Sequence, residues 1–152
     1  MFIYQKTPQY YETDQMGIIH HANYLRWFEE ARFAYMEPDA LFHTLKRNDC
    51  PIISPVLSAE IKYIRMVRMS DNVEILTRMT QYNGFRYTFV YLVRDKDTDE
   101  TCCTGVTTHC FLTRDGQPAR MKRDFTDLHN LMRKRLEDDT EEELNKNPES
   151  EE

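Results

Sequence analysis

The sequence predicts one α+β domain in which a curved antiparallel sheet of about five strands wraps around one long buried helix. A helix that is apolar on most of its faces fits the chain from Asn23 until Pro38. After a first extended run at residues 2–11, strand-like runs follow one another from Ile52 to Leu112. The turns between these runs are short, which makes neighbouring strands antiparallel.

The helix predicted from Asn23 carries apolar residues at helical spacing, and most of its remaining faces are apolar as well. The repeat consists of Tyr24, Phe28, Ala31 and Tyr35. A helix of this kind is buried and does not lie as an amphipath on the surface. Residues 39–48 predict a short second helix, with Asp39 as a suitable N-cap.

The strand region is clearest between Phe85 and Val93, where large apolar residues alternate with smaller or polar ones. Asn83-Gly84 stands between two strand-like runs and is a strong signal for a hairpin turn. Residues 95–99 and Asp115-Gly116 predict two further turns. Residues 124–136 predict a terminal helix with its leucines on one side.

The charge of the chain is unevenly distributed. The formal net charge is −6, but residues 137–152 alone hold nine acidic residues and one lysine, so residues 1–136 carry +2. We therefore predict a single domain over residues 1–136 and an acidic, solvated, disordered tail over 137–152. Deletion of residues 138–152 is expected to leave activity unchanged. The body shows no basic stripe, which argues against a nucleic-acid partner.

The cysteines and the N-terminal sequence bear on the compartment. The four cysteines lack CxxC spacing and read as reduced core residues. No charged segment followed by an apolar stretch opens the chain, and no apolar run is long enough to span a membrane. These features favour a cytoplasmic protein without a membrane partner.

The most informative motif is the segment from Asp14 to Tyr24, DQMGIIHHANY, which continues through Glu29, Ala31 and Arg32. It resembles the signature of the 4-hydroxybenzoyl-CoA thioesterase-like family of hotdog proteins. In that pattern, Asp and Gly stand three residues apart and Asn-Tyr follows six residues after the Gly. The similarity continues at residues 67–73, VRMSDNV, and covers roughly residues 3–123. The resemblance implies a hotdog fold and a thioesterase, a hydrolase of acyl-CoA.

Hydrolysis of a thioester needs a base or nucleophile on one side of the carbonyl and an oxyanion stabiliser on the other. Asp14, just before the helix, can supply the first as either nucleophile or general base. The free backbone N–H groups where the helix begins, around His21, can supply the second with the helix dipole. Gly17 lets the backbone pass close to a ligand. The resemblance assigns the catalytic carboxylate to Asp14 and the polarising N–H to His21.

Several residues of this segment also have other interpretations, as helix caps, metal ligands or ion pairs. An Asp before a helix is most often a cap, and Asn23 can also cap this helix. His20 and His21 look like metal ligands, but adjacent histidines usually diverge and no third ligand stands at metal-site spacing, so no metal is expected. His21 is expected to line the pocket. The candidate substrate-binding residues of the segment are Gly17, His20, Asn23 and Tyr24. Glu29 and Arg32, three apart on the helix, can form an ion pair.

Coenzyme A enters as part of the substrate, and no separate cofactor is expected. Its phosphates call for cationic side chains at the pocket mouth. Lys62, Arg65 and Arg68, at the end of a strand, form the first candidate group. A second basic group follows the last strand and consists of Arg114, Arg120, Lys122 and Arg123. Solvated charges that protect sheet edges are the simpler explanation for any single one of them.

The family resemblance also implies a homodimer or homotetramer, with part of the acyl pocket supplied by a second copy. The predicted function is hydrolysis of an acyl-CoA thioester to free acid and coenzyme A. The alternatives are an acyl-carrier-protein thioesterase, whose acidic partner would dock on the basic groups, and a non-catalytic acyl-CoA-binding module. A Cys-His nucleophile built from Cys102 or Cys103 with His109 is disfavoured, because strand cysteines are generally inert.

Overall fold

A computed structural model describes residues 1–39, 43 and 47–146 of the chain. The strands are β1 (Phe2–Lys6), β2 (Ile52–Ile53), β3 (Val56–Tyr63), β4 (Val73–Tyr82), β5 (Arg86–Asp95), β6 (Thr101–Cys110) and β7 (Leu112–Thr113). The helices are α1 (Asn23–Met36), α2 (Met121–Asp124) and α3 (Thr126–Lys146). A 3-10 turn, Tyr10–Glu12, follows β1. None of the helices in these residues is both long and apolar enough to span a membrane.

The main sheet has five antiparallel strands in the order β1-β4-β5-β6-β3. The predicted hairpin joins β4 to β5, with Gly84 at φ +89°. The Asn83 side chain accepts hydrogen bonds from the N–H groups of Phe85 and Arg86. Bulges interrupt the pairing of β3, β4 and β5 with their neighbours, and bulges increase the bend and twist of a sheet. β2 and β7 form a separate two-stranded sheet.

Helix α1 lies across one face of this sheet. Trp27, Phe28 and Ala31 are completely buried, and the Phe28 ring stacks on Tyr91 of β5 with 4.4 Å between centroids. Position 105 of β6 is a glycine, and a Cβ there would overlap the Phe28 ring. A sheet wrapped against one buried helix confirms the predicted α+β hotdog fold.

One predicted feature of α1 is wrong. No ion pair joins Glu29 to Arg32 within the residues that the structure describes. Arg32 is buried and donates from Nη1 to the Tyr91 hydroxyl at 3.0 Å, whereas Glu29 is exposed. A tertiary contact with β5 replaces the local contact along the helix.

Strand β3 forms one edge of the sheet, and no strand of the described residues pairs with its outer side. Most of it is exposed, and Val56, Leu57 and Tyr63 each expose about half of their surface. An exposed apolar edge is a surface that proteins usually cover or pair. This edge of β3 is a suitable surface for the predicted pairing of two copies of the chain. The pairing itself stays a prediction.

The C-terminal part of the chain differs from the prediction. Helix α3 continues past residue 136 to Lys146, so residues 137–146 are not a disordered tail. Asp139 is buried, and its Oδ2 accepts hydrogen bonds from the Tyr35 hydroxyl at 2.7 Å and from the Met79 N–H at 2.8 Å. Counting charges along the chain treats every carboxylate as solvated and misses such partners.

The prediction that deletion of residues 138–152 leaves activity unchanged stays a prediction, although the deletion takes Asp139 from its buried partners. Residues 147–152, and most of the second helix predicted at residues 39–48, lie outside the described residues.

We predict that Asp139→Ala lowers the free energy of unfolding by about 2–4 kcal/mol, because it leaves a buried hydroxyl and a buried N–H without an acceptor. It also removes the ion pair with the amino group of Met1 at 3.3 Å. Chemical denaturation measures the effect. The control is Asp138→Ala, which removes an exposed carboxylate from the same helix. Equal stability of the two variants would contradict the anchoring role of Asp139.

Candidate active site

The loop before α1 folds as a tight turn around Asp14. The Asp14 N–H donates to the Ile18 carbonyl at 2.8 Å, and the Gly17 N–H donates to the Asp14 carbonyl at 3.0 Å. Gly17 has φ +76°, a conformation that favours glycine. Oδ1 of Asp14 accepts the Met16 N–H at 2.8 Å. Oδ2 has no hydrogen-bonding partner among the described residues, so one oxygen is fixed and the other is available.

Glu12 ties this loop to the start of α1. Its carbonyl accepts hydrogen bonds from the His20 N–H at 2.9 Å and from Nδ2 of Asn23 at 2.8 Å. Its buried carboxylate accepts the indole N–H of Trp27 at 2.6 Å. Asn23 is the first residue of the helix, and its side chain links the helix to the Asp14 loop through the Glu12 carbonyl. The N-cap is Ala22, so the prediction that Asn23 caps the helix is wrong.

The carbonyl and the N–H of His21 differ in their hydrogen bonding. The His21 carbonyl accepts a hydrogen bond from the Tyr63 hydroxyl at 3.0 Å. The His21 N–H has no acceptor in the part of the chain that is described. The His20 and His21 rings do not diverge: they stack with 4.1 Å between centroids, and Nδ1 of His20 accepts the Ala22 N–H at 3.1 Å. The His21 peptide therefore offers a free donor at the helix start.

A cavity of about 270 Å³ opens between this loop, the first turn of α1 and the end of β3. Its lining residues are Asp14, Met16, Ile18, Ile19, His21, Tyr24, Tyr63, Ile64, Arg65 and Met66. The structure thus brings four of the predicted residues to one cavity, namely Asp14, His21, Tyr24 and Arg65. The lining thus includes the Asp14 carboxylate, the Arg65 cation and His21, the residue with the free N–H, beside apolar side chains.

The other predicted substrate-binding residues do not line this cavity. Gly17 shapes the turn, His20 is exposed, and Asn23 is buried against Glu12. Lys62 is exposed, and its Nζ lies 3.8 Å from the Glu60 carboxylate. Successive residues of a strand point to opposite faces, so Tyr63 faces the cavity and Lys62 does not. Arg68 is exposed in the following loop.

The two basic groups lie at opposite ends of the sheet. Arg65 follows β3 at the cavity and pairs with Glu100. The residues after β7 follow the other end of β6, which runs antiparallel to β3. There Arg114 donates to the Cys50 carbonyl at 2.6 Å, and Arg123 pairs with Asp124. Arg65 is therefore the cation positioned for a ligand of this cavity.

Sequence reasoning missed Tyr63 and the role of Glu12. An aromatic residue at the end of an edge strand was the available signal for Tyr63, but only the fold brings its hydroxyl to His21. The buried thiols have no activating partner: burial raises the pKa of Cys103 to about 12. Burial, with a smaller effect of Arg32, lowers the pKa of His109 to about 3, so neither group suits a Cys-His pair.

We predict that Glu12→Ala loosens the loop and changes the fluorescence of Trp27, the only tryptophan of the chain. The buried indole N–H loses its acceptor, which lowers the free energy of unfolding by about 1–3 kcal/mol. Emission spectra and denaturation curves measure both effects. Glu12→Gln keeps an acceptor oxygen and is the matched control. Unchanged emission and stability in Glu12→Ala would show that the loop does not depend on this bond.

Comparisons with known proteins identify the family of this chain. Residues 8–129 match the family model of the thioesterase-like superfamily. A protein of Aquifex aeolicus named "Putative esterase" is 33% identical over 111 residues, covering 73% of this chain and 84% of that protein. A Bacillus subtilis protein named "Putative acyl-CoA thioesterase YneP" is 28% identical over 128 residues, covering 83% and 91%.

A solved structure of the DHNA-CoA thioesterase from Staphylococcus aureus is similar along nearly the whole chain. Its TM-score is 0.79 at 29% sequence identity, and the match covers 97% of this chain and 94% of that one. These matches confirm the predicted enzyme class, a thioesterase. The chain belongs to the thioesterase-like superfamily, as a member with the hotdog fold.

Proposed function

We propose that this protein hydrolyses acyl-CoA thioesters to the free acid and coenzyme A. The proposal rests on one observation: Asp14, with one carboxylate oxygen fixed and the other without a protein partner, lines the same cavity as His21, whose N–H has no acceptor in the described chain. A carboxylate and a free N–H donor at a helix start are the two groups that acyl transfer from a thioester requires.

Two routes fit this arrangement. As a general base, Asp14 takes a proton from water while the water oxygen bonds to the carbonyl carbon, and the carbon–sulfur bond then breaks to release the thiolate. As a nucleophile, Asp14 forms an anhydride with the acyl group, the thiolate leaves, and water hydrolyses the anhydride. In both routes the His21 N–H and the positive end of the α1 dipole stabilise the oxyanion.

The cavity also has features that suit coenzyme A. Arg65 lies at its edge with 40% of its side chain exposed; its Nη1 pairs with Glu100 and lies 3.8 Å from the buried Asp95, so a phosphate would compete with these two carboxylates. Tyr24 and Tyr63 stack edge to face with 5.4 Å between centroids and form an apolar wall for the thioester. The two relatives named as CoA thioesterases support the same substrate class.

The proposed assembly is a homodimer or homotetramer in the cytoplasm. Pairing of two β3 edges would cover the exposed apolar residues of this strand, and the second copy would then stand beside the cavity at Tyr63. Such an enzyme needs no cofactor of its own, because the chemistry uses only the carboxylate, the backbone donor and water.

We predict that Asp14→Asn lowers kcat for thiol release by roughly 100-fold or more, the usual contribution of a general base or nucleophile. Asparagine retains a carbonyl oxygen that can accept the Met16 N–H, so the turn and the free energy of unfolding should change little. A thiol reagent follows coenzyme A release from acyl-CoAs with short, long and aromatic acyl groups.

Asp115→Asn is the matched control, since Asp115 is an exposed turn carboxylate that accepts a hydrogen bond from Thr113. Full activity of Asp14→Asn would refute the assignment. If the unaltered protein releases thiol from none of the acyl-CoAs, the same assay with acyl-carrier-protein substrates separates the carrier-protein thioesterase from a binding module without turnover.

A further inference from the structure

A second cavity, of about 600 Å³, lies along α1 and β3 beyond the candidate active site. Much of its wall is apolar, with Leu25, Phe33 and Met36 from the helix and Val56 from the strand. Arg32 lines the same cavity although the residue is only 8% exposed. The polar residues of the lining are Arg26, Glu29, Arg32, Ser54, Tyr87 and Thr107. A cavity of this size that combines an apolar wall with polar groups can hold a small organic ligand.

The guanidinium of Arg32 is incompletely paired. Nη1 donates to the Tyr91 hydroxyl, but Nε and Nη2 have no acceptor among the described residues, and no carboxylate there forms an ion pair with it. Glu29 reaches the same cavity, yet it is exposed. Neither nitrogen is among the fully buried unpaired atoms of the described residues, so both keep access to the cavity, where an anionic ligand can accept from them in place of water.

The side chains that form the hydrogen-bond chain from Arg32 into the sheet are neutral, whereas the charged residues Arg26 and Glu29 are exposed at the cavity. The Tyr91 hydroxyl contacts Thr107 at 2.8 Å, and Thr107 in turn contacts Nε2 of His109 at 2.8 Å. Burial keeps the pKa of Tyr91 above its usual value and that of His109 at about 3, so both groups are uncharged near neutral pH. These groups satisfy one another's hydrogen bonds and leave the positive charge uncompensated.

The two cavities follow one another along the same helix and strand. Tyr24 and Tyr63 line the first, and Arg32 and Ala59 line the second. Tyr24 and Arg32 are eight residues apart, which is about 12 Å along an α-helix. An acyl group whose thioester carbon lies beside Asp14 can therefore extend along α1 and bring its far end to Arg32.

We propose that the second cavity holds the acyl group and that Arg32 binds a carboxylate at its far end, so that the preferred substrates are CoA monothioesters of dicarboxylic acids. Nε and Nη2 form the side of a guanidinium that can bind a carboxylate through two parallel hydrogen bonds. The apolar wall accommodates the methylene chain between the two ends. This inference rests on the proposed acyl-CoA hydrolysis and specifies its substrate class.

The test compares suberyl-CoA with octanoyl-CoA, which differ only in the terminal carboxylate. We expect kcat/KM of the unaltered protein to be higher for suberyl-CoA by about tenfold or more, the effect of one charge-assisted bidentate contact. In Arg32→Gln the ratio of the two values should fall to near one. Adipyl-CoA and sebacyl-CoA test the dependence on chain length.

The matched control is Arg133→Gln, which removes the same charge from an exposed position on α3 and should retain the preference. Equal kcat/KM for suberyl-CoA and octanoyl-CoA in the unaltered protein would overturn the inference and leave the proposed hydrolysis standing. The kcat/KM values of the unaltered protein for these two substrates test the preference for a terminal carboxylate even if Arg32→Gln does not fold.

If neither thioester is hydrolysed, these two acyl groups are excluded as substrates, the wider acyl-CoA panel decides the proposed function, and binding still tests the cavity. Calorimetry then measures the affinity of the unaltered protein for the two thioesters. Tighter binding of suberyl-CoA, lost in Arg32→Gln, supports a carboxylate site. Equal affinities refute it and leave Arg32 as a residue that packs against Tyr91.

Discussion

The contact of Phe28 with β5 and β6 is the constraint on which the rest of the structure depends. Its ring stacks on Tyr91 and occupies the space that a side chain at position 105 would need. This close approach sets the depth and direction of α1 on the sheet. Tyr24 and Arg32 stand one turn before and one turn after Phe28, so the same contact places one residue at each cavity.

The start of α1 is useful for chemistry because Glu12 fixes the loop that precedes it. One residue accepts hydrogen bonds from His20 and Asn23 through its backbone and from Trp27 through its carboxylate. These bonds hold the Asp14 turn and the helix start as one unit. The proposed hydrolysis requires its carboxylate and its oxyanion donor to keep their relative positions, and this unit would supply that rigidity.

The two cavities differ in the group at their polar end. The first presents the Asp14 carboxylate and a backbone donor, whereas the second presents the buried Arg32 cation within an apolar wall. The turn around Asp14 and the start of α1 could be predicted from the sequence because they are local, while the catalytic roles of Asp14 and His21 stay predictions. It treated Arg32 as half of a local ion pair, since nothing in the chain order shows that Tyr91 would be its partner.

The sequence by itself determined the elements and the turn around Asp14, because hydrogen bonds between residues a few positions apart and the alternation of apolar residues fix them. Only the tertiary structure decided that Tyr63 and Arg65 join this turn, that Lys62 and Arg68 do not, and that Asp139 is buried. Those outcomes depend on which distant segments meet, and the solvation of a charged side chain changes with the neighbours that the fold brings to it.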